Sequence, residues 1–308
     1  MPRSAVTGLY LGLVVIWSST WVAIKIGLED CPPLLGAGIR FAFAGLVLLA
    51  FAAVSGRSLR TDGRLAATLA LMPFALAYGL VYWGEQHIPS GLAAVLFGVL
   101  PLYTAFLGAV LLPDQPLRAR LVVGILIAIG GLALAFAESA ASGDPELALA
   151  GAAALAVAPL GASVGNISLK LRGGELDAVT LNGWGMLGGG VLLLAASGIG
   201  ESWAEAAWTA ESVGSIAYLA LIGSAVPFVA LTVLLRHISA QATSFLAMLL
   251  PFGALVFGAT LYSEAITLRA LGGAALVAVG LLIAQGLPAR KGLAGALGVG
   301  AREIRVRD

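Results

Sequence analysis

Long apolar stretches separated by short polar segments occupy almost the whole chain. The stretches are continuous rather than alternating in polarity, and most have about the 20 residues that a helix needs to cross a bilayer. The pattern predicts an all-α integral membrane protein with ten transmembrane helices and no loop long enough to hold a soluble domain. We place the predicted helices near residues 7–28, 33–54, 64–83, 90–112, 119–137, 149–170, 179–198, 212–235, 240–261 and 267–286.

The composition agrees with a membrane protein and narrows its chemistry. Hydrophobic residues make up 60% and charged residues 11% of the 308 residues, whereas a soluble domain has about 25% charged residues. The net charge of +1 gives no indication of nucleic-acid binding. The single cysteine, Cys31, excludes an internal disulfide and a cysteine-based metal cluster. The apolar N-terminal segment is long for a signal peptide, so we interpret it as a retained first helix.

The second half of the chain repeats the first, which shows when the sequence is moved by 150 positions. The matched pairs are His87-Ile88 with His237-Ile238, Pro101 with Pro251, Asp114 with Glu264, and Gly130 with Gly280. At a slightly different offset, the first helices of the halves also match, with Ser18 and Lys25 over Ser163 and Lys170. We therefore divide the chain into two five-helix repeats, 1–140 and 141–286, and a basic tail, 287–308.

Lys and Arg are concentrated on one predicted side of the membrane. With the N-terminus inside, the outer side receives only Arg269. The inner side receives Arg3, Arg57, Arg60, Arg64, Arg118, Arg120, Lys170, Arg172, Arg236, Arg290, Lys291, Arg302, Arg305 and Arg307. Because cytoplasmic loops carry the excess of Lys and Arg, this bias predicts that both termini and the tail are cytoplasmic.

Five helices per repeat make the two repeats inverted in the membrane. An odd number means that the second repeat enters from the opposite side, so that the halves are related by a pseudo-twofold axis in the membrane plane. This symmetry is typical of carriers that expose one central site to either side in turn. The sequence thus predicts alternating access.

Aromatic and hydroxyl side chains at mid-depth are the candidates for a binding cavity. Trp17 and Trp21 lie one turn apart in the middle of the first helix, too deep for both to sit at the headgroups. The hydroxyl residues between them could line the same cavity or bond neighbouring helices. Tyr78 and Tyr82 repeat the spacing in the third helix, although Tyr82 could belong to the outer aromatic belt.

Several prolines lie inside predicted helices, where each removes a backbone hydrogen bond. Tyr103 follows Pro101, and Phe228 follows Pro227. A static kink accounts for some of these prolines. Because Pro101 and Pro251 are equivalent in the repeats, we expect them to shape or hinge a central cavity.

Three basic residues lie within the predicted helices. Lys25 and Lys170 are near helix ends, where snorkelling to the interface is the simpler interpretation. Arg40 lies deeper and needs an acid, exposed carbonyls or a substrate carboxylate. Glu85 or the pair Glu29-Asp30 could supply the acid, and we favour such structural pairing over substrate contact.

Features of an enzyme or a channel are not found in the sequence. No Asp or Glu lies in the middle of a predicted helix, and His87 and His237 are near loops. No phosphate-binding loop, catalytic triad or metal motif is present, and no helix carries a polar stripe. We expect no catalytic residue, no metal and no cofactor.

The chain resembles the drug/metabolite transporter superfamily, EamA type, over residues 7–286. The resemblance rests on Trp17 to Lys25, on Ile39-Arg40-Phe41, and on the segments from Pro101 to Asp114 and from Pro251 to Glu264. A narrower similarity is to YddG-type amino-acid exporters. The resemblance implies a cavity between the first, third, fourth and sixth helices and their repeat mates. By position it implicates Trp17, Trp21, Tyr78, Tyr82, Tyr103, Ser163, Asn166, Phe228 and Met248 in substrate binding.

The resemblance and the neutral cavity together predict an exporter of amino acids, in particular neutral and aromatic ones, and of related metabolites in the bacterial inner membrane. The partners would be the small-molecule substrate and the lipid bilayer, without nucleic acid, and the protein would be a monomer or a weak dimer. A sugar, nucleotide-sugar or drug carrier of the same fold is the alternative, and an intramembrane enzyme or a channel is a more distant one.

Overall fold

The computed structural model describes residues 1–111, 119–139, 144–244 and 246–285, and these residues are helical with short connections and no strands. The apolar helices, numbered in chain order, are α1 (Arg3–Asp30), α2 (Pro33–Val54), α3 (Gly63–Glu85), α4 (Ser90–Leu111), α5 (Ala119–Ser139), α6 (Pro145–Arg172), α7 (Ala178–Gly200), α8 (Ala210–His237), α9 (Leu246–Leu261) and α10 (Leu268–Gln285). A short helix, Ala240–Ser244, precedes α9.

Seven of these helices are long and apolar enough to cross a membrane, namely α1, α2, α3, α4, α6, α7 and α8. The remaining three are apolar over shorter spans, Val122–Ala135, Leu249–Leu261 and Leu268–Ile283. The prediction of an all-α protein with membrane-length apolar helices is therefore confirmed for the described residues. The predicted tail, 287–308, and Asp114 lie outside them.

Polar residues between the apolar segments begin several of the helices. The side chains of Asp62, Asp144, Asp177 and Thr209 accept hydrogen bonds from backbone N–H groups in the first turns of α3, α6, α7 and α8. These first N–H groups have no partner within a helix, so a side-chain acceptor stabilises the start of the helix. Pro33 stands in the first turn of α2, where its missing N–H costs nothing.

Close pairs of helices make up the bundle, with α2 against α7, α5 against α10, and α1 against α9 and α8. Small residues allow this approach: a Cβ on Gly45 of α2 would lie 2.8 Å from the carbonyl oxygen of Gly183 of α7. In lipid, where tails are as apolar as side chains, such close backbone packing is a main source of helix association.

Hydrogen bonds at both ends of α1 define the direction of its neighbour α9. Near the start of α1, Tyr10 Oη donates to the carbonyl oxygen of Ala242, 3.4 Å away. At its other end, the Tyr262 hydroxyl, just after α9, donates to the Glu29 carboxylate. The two helices therefore run in the same direction. We call the end of the bundle where α1 finishes the Lys25 end, and the opposite end the Lys170 end.

Helices α3 and α8 each contain a π-helical segment, Ala70–Ala77 and Leu221–Ala225. Pro73 lies in the first segment, and Pro227 follows the second by two residues. A proline cannot donate the usual backbone bond, which is one cause of such a local change of helix type. The wider turns shift the backbone hydrogen bonds in the middle of each helix, beside the centre of the bundle.

Candidate binding cavity

The described helices surround a central cavity. Side chains from α1, α3, α4, α6, α7, α8 and α9, and from the short helix before α9, line it. Most of the lining is apolar. Asp, Glu, Lys and Arg do not occur among these lining residues.

Aromatic rings form one wall of the cavity. Phe228 is at the centre of this wall, with its ring centroid 5.4 Å from Trp17, 6.0 Å from Tyr78 and 5.0 Å from Phe74. All three pairs are tilted or edge-to-face, an arrangement in which aromatic pairs attract each other beyond simple burial. On the side toward the Lys25 end, Trp21 packs edge-on against Phe97, at 5.6 Å.

Two asparagines are the main polar groups of the lining. Asn166, on α6, makes no hydrogen bond in the described part of the structure. Asn182, on α7, donates through Nδ2 to Ala178 O at 2.8 Å and to Thr232 Oγ1 at 2.7 Å, while its Oδ1 is buried without a partner. Buried polar atoms are normally hydrogen-bonded, so these amides are available to a bound molecule.

Five of the residues that the family resemblance implicated lie on the cavity lining: Trp17, Trp21, Tyr78, Asn166 and Phe228. Tyr82, Tyr103 and Ser163 do not line it. The side chain of Met248 lies outside the described residues.

The three residues that do not line the cavity either bond other groups or lie elsewhere in the bundle. Tyr82 is buried and accepts a hydrogen bond from Arg40, so it is not a residue of the exposed aromatic belt. Ser163 is buried in a bond between helices, and Tyr103 is only partly buried. Asn182, Phe74 and Phe97, which the sequence did not single out, line the cavity instead.

Equivalent serines in the two halves bond the helices that carry Pro101 and Pro251. Ser18 Oγ donates to Leu250 O at 3.3 Å, and Ser163 Oγ donates to Leu100 O at 3.2 Å. Each bond joins a helix of one half to a helix of the other. The hydroxyl of Ser18 therefore joins helices rather than lining the cavity.

Equivalent lysines make equivalent contacts at opposite ends of the bundle. Lys25 Nζ, on α1, donates to the carbonyl oxygens of Glu85 at 2.7 Å and Ile88 at 3.1 Å, where α3 ends. Lys170 Nζ, on α6, donates to Leu235 O at 2.6 Å and Ile238 O at 2.9 Å, where α8 ends. The last carbonyls of a helix lack partners and attract cations. We expected both lysines to snorkel to the membrane interface. Instead, each binds the last carbonyl oxygens of a neighbouring helix.

Arg40 is fully buried and bonds groups on α8 and α3. Its Nε donates to Ser224 Oγ at 2.8 Å, and its two Nη atoms donate to Tyr82 Oη at 3.3 Å and Gly223 O at 3.4 Å. The guanidinium carbon also lies 4.9 Å from the ring centroid of Tyr78. The ion pairs among the described residues are Arg57–Asp177 and Arg172–Asp62. Among the described residues, Arg40 forms no ion pair, so the prediction that it pairs with an acid is wrong there.

Glu85, the last residue of α3, is fully buried, and neither of its carboxyl oxygens has a hydrogen-bond partner among the described residues. Its backbone oxygen binds Lys25. Gly84 brings α3 close to α6 at this point: a Cβ there would lie 2.7 Å from the Gly151 carbonyl oxygen. This packing buries a residue that the sequence alone places at a helix–loop border.

A bundle of membrane-length apolar helices around a central, uncharged cavity is the architecture of a membrane transporter. The comparison with protein families assigns the chain to one family of transporters. The model of the EamA-like transporter family matches residues 6–137 and again residues 149–285. The chain belongs to this family.

Curated relatives agree with that assignment. The chain is 33% identical over 267 residues to "Uncharacterized inner membrane transporter YedA" of Escherichia coli (strain K12), covering 84% of each chain. It is 29% identical over 277 residues to "Uncharacterized transporter YoaV" of Bacillus subtilis (strain 168), covering 89% of this chain and 94% of that one. The protein is accordingly a multi-pass protein of the inner membrane.

The chain is also similar to a protein named as an efflux pump and to a solved structure. A Salmonella typhimurium (strain LT2) protein named "Probable amino-acid metabolite efflux pump" is 29% identical over 285 residues, covering 89% of this chain and 93% of that one. A solved crystal structure matches with a TM-score of 0.69 at 18% identity and covers 92% of this chain and 97% of that chain. This last similarity concerns the fold alone. The names of the family and of the relatives indicate a transporter rather than an enzyme.

Proposed function

We propose that all ten apolar helices cross the membrane and form two inverted five-helix repeats, 1–140 and 141–286, with cytoplasmic termini. The twofold match of the family model supports the division into repeats. The equivalent contacts of Lys25 and Lys170 at opposite ends of the bundle support the inversion. The Lys170 end, which also carries Arg57, Arg172 and Arg236, would be the cytoplasmic one.

Within this scaffold, the protein would export neutral and aromatic amino acids and related small metabolites by alternating access. The observation that carries the proposal is the cavity: aromatic on one wall, with free amide groups, and without a charged side chain among its lining residues. Such a site suits a zwitterionic or neutral molecule with an apolar side chain. The efflux-pump relative favours amino acids among such molecules.

The cavity groups would share the recognition of an amino acid between them. An aromatic or aliphatic side chain would pack on Phe228, Trp17 and Tyr78. The α-ammonium group would lie near ring faces and the free Oδ1 of Asn182, and the amide of Asn166 would bind the carboxylate. Because apolar packing distinguishes related side chains by only about 1–3 kcal/mol, we expect several amino acids to be accepted.

Pro101 and Pro251 would act in the movement that exposes the cavity. Leu100 and Leu250, the residues before them, line the cavity and accept the bonds of the two equivalent serines. Each proline thus stands where a helix is attached to the other half. The break between the helical segments Ser90–Phe97 and Leu100–Leu111 supports a bend just before Pro101.

Counterflow in liposomes tests this function. Purified protein in vesicles preloaded with unlabelled amino acid should accumulate external labelled Thr, Leu, Phe or Trp. Trp17→Ala and Tyr78→Ala should reduce the uptake, because each removes part of the aromatic wall. Tyr103→Ala is the matched control, since it removes an aromatic side chain that does not line the cavity.

The experiment tests the substrate class and the binding site separately. Exchange of sugars or nucleotide sugars but of none of the amino acids would overturn the substrate assignment. Equal loss of exchange in all three variants, or in none of them, would show that the aromatic wall does not select the substrate.

A further inference from the structure

Several hydrogen bonds join the helices at the Lys25 end of the bundle, and we call this set of bonds the seal. Glu264, after α9, accepts hydrogen bonds from Ser90 N at 2.8 Å, Ser90 Oγ at 2.7 Å and Gly91 N at 3.2 Å, at the start of α4. Asp30, at the end of α1, accepts a bond from Thr209 Oγ1. With the contact of Lys25, these bonds join α1, α3, α4, α8 and the segment after α9 across one end of the cavity.

Glu85 lies inside this seal and differs from the other acids there. The carboxylates of Glu264 and Asp30 accept hydrogen bonds, whereas both carboxyl oxygens of Glu85 are buried and no described residue donates to them. Lys25 Nζ is within bonding distance of the backbone oxygen of Glu85, and it forms no ion pair with the carboxylate. A buried carboxylate that no donor or cation contacts is costly, and the cost falls sharply when the group is neutral.

Charged and titratable groups face Glu85 from three neighbouring elements. They are Lys25 on α1, Arg40 on α2 and Glu264 after α9, with Tyr82 one turn earlier on α3 itself. From α6, the residues packed against the end of α3 are Gly151 and Leu155, which carry no charge. The two cations favour an ionised Glu85, and Glu264 together with the dry surroundings favours a neutral one. A buried carboxyl group with charges of both signs nearby changes its own charge when its access to water changes.

We propose that Glu85 is a proton-binding site of the gate at the Lys25 end: its carboxyl group holds a proton while this end is closed and releases it when the end opens to water. Opening would hydrate the carboxylate, and the ammonium group of Lys25 would leave the backbone carbonyls at the same moment. One proton is then lost for each opening. Acid on this side stabilises the closed state, and alkali favours the open one.

Infrared spectroscopy of the reconstituted protein tests proton binding without any assumption about transport. The wild-type protein near neutral pH should show the C=O stretching band of a neutral carboxylic acid, which Glu85→Gln should remove. Glu201→Gln is the control: its carboxylate accepts bonds from the backbone N–H groups of Leu34 and Leu35, at 2.8 and 2.9 Å, so the band should remain. A band that persists in the Glu85 variant, or is absent from the wild type, overturns the proposal.

Exchange measured against pH tests the link to the gate, a part that rests on the proposed alternating access. With the pH varied on the side of the Lys25 end, wild-type exchange should slow as the pH falls, by up to about tenfold per pH unit for a single coupled proton. Glu85→Gln resembles the protonated form, so its exchange should be slow and should lose this pH dependence. A variant with the wild-type slope refutes the coupling. Failure of every amino acid to exchange would count against the proposed function and leave the infrared result to decide on Glu85.

Discussion

Lys25 and Lys170 occupy equivalent positions, and removing one or the other should change the opening of the Lys25 end in opposite directions. Lys25→Met takes away the ammonium group that binds the end of α3, and Lys170→Met does the same at the end of α8. Methionine keeps the unbranched chain up to the ε position and the helix propensity of lysine, so the change is confined mainly to the ammonium group and its bonds. If each contact holds one gate shut, the first variant favours opening at the Lys25 end, and the second disfavours it.

The size of the effect follows from the bonds that are lost. A hydrogen bond to a charged group contributes roughly 1.5–3 kcal/mol, and each lysine makes two such bonds. Lys25 is partly buried and Lys170 is exposed, so water replaces some of this energy when the gate opens. We therefore take the net loss as about one bond, roughly 1.5 kcal/mol. This changes the ratio of open to closed molecules about tenfold.

The only cysteine of the chain reports on the Lys25 end. Cys31 is buried between α1 and α2 against Leu35 and Ile216. Burial, with the charges of Glu201 and Asp30, raises the pKa of its thiol to about 11, so maleimide reacts slowly while this end is closed. When opening is fast relative to labelling, the labelling rate follows the open fraction.

Labelling at one fixed pH should accordingly become about tenfold faster in Lys25→Met and slower in Lys170→Met. Cys31→Ser gives the background. The charges that raise the pKa of the thiol are those of Glu201 and Asp30, and both lysine variants keep them. If both variants shift the rate in the same direction, or neither does, the lysines do not hold opposed gates, and the reasoning from the inverted repeat fails.

Further substitutions test the remaining contacts. Arg40→Lys should lower the melting temperature, because a lysine cannot replace the bonds to Ser224 and to α3 together; an unchanged melting temperature would show that the three bonds are dispensable. Asn182→Leu should raise the half-saturating amino-acid concentration in exchange without loss of folded protein, since it removes the free Oδ1 from the cavity; unchanged affinity would show that this atom does not contact substrate. Burial acts to raise the pKa of Asp177, but the bonds from Thr180 and Arg57 outweigh it and lower that pKa. The stability that these bonds supply is present above the pKa of the unfolded chain and is lost as the pH falls through the lowered one. The melting temperature of Asp177→Asn should therefore fall less between neutral and acid pH than that of the wild type, and equal losses would contradict this assignment.

Local properties of the chain are what the sequence predicts best. The depth of Trp17, Trp21 and Tyr78 within single helices follows from the length of the helix alone. The structure places all three on the cavity lining, and their part in substrate binding stays a prediction. The apolar segments follow from hydropathy in the same way. Residues whose surroundings come from distant parts of the chain could not be placed by this reasoning. Arg40 binds Ser224, whose place beside α2 follows only from packing of α8. Glu85 is buried because Gly84 meets Gly151 at the start of another helix. Pattern and depth contain no information about such pairs.

The distribution of these bonds also indicates which parts of the bundle would move. The serine bonds join the halves at mid-depth, through α1 to α9 and through α6 to α4. The lysine bonds stay within a half and lie at its ends, joining α1 to α3 and α6 to α8. In the described part of the chain, α3 and α8 are also the two helices with π-helical segments, where the regular backbone hydrogen-bond ladder is already interrupted.

A gate that opens by breaking a lysine contact therefore moves the end of α3 or α8 away from α1 or α6, with the bend at the π-helical segment, while the serine bonds keep the halves together. Spin labels at the Lys25 end should show this directly. The distance between α1 and α3 should change when substrate is added, and the distance between α1 and α9 should stay constant. Rigid rotation of one half against the other would instead change the second distance, because α1 and α9 belong to different halves, and would show that the serine contacts do not hold the halves together.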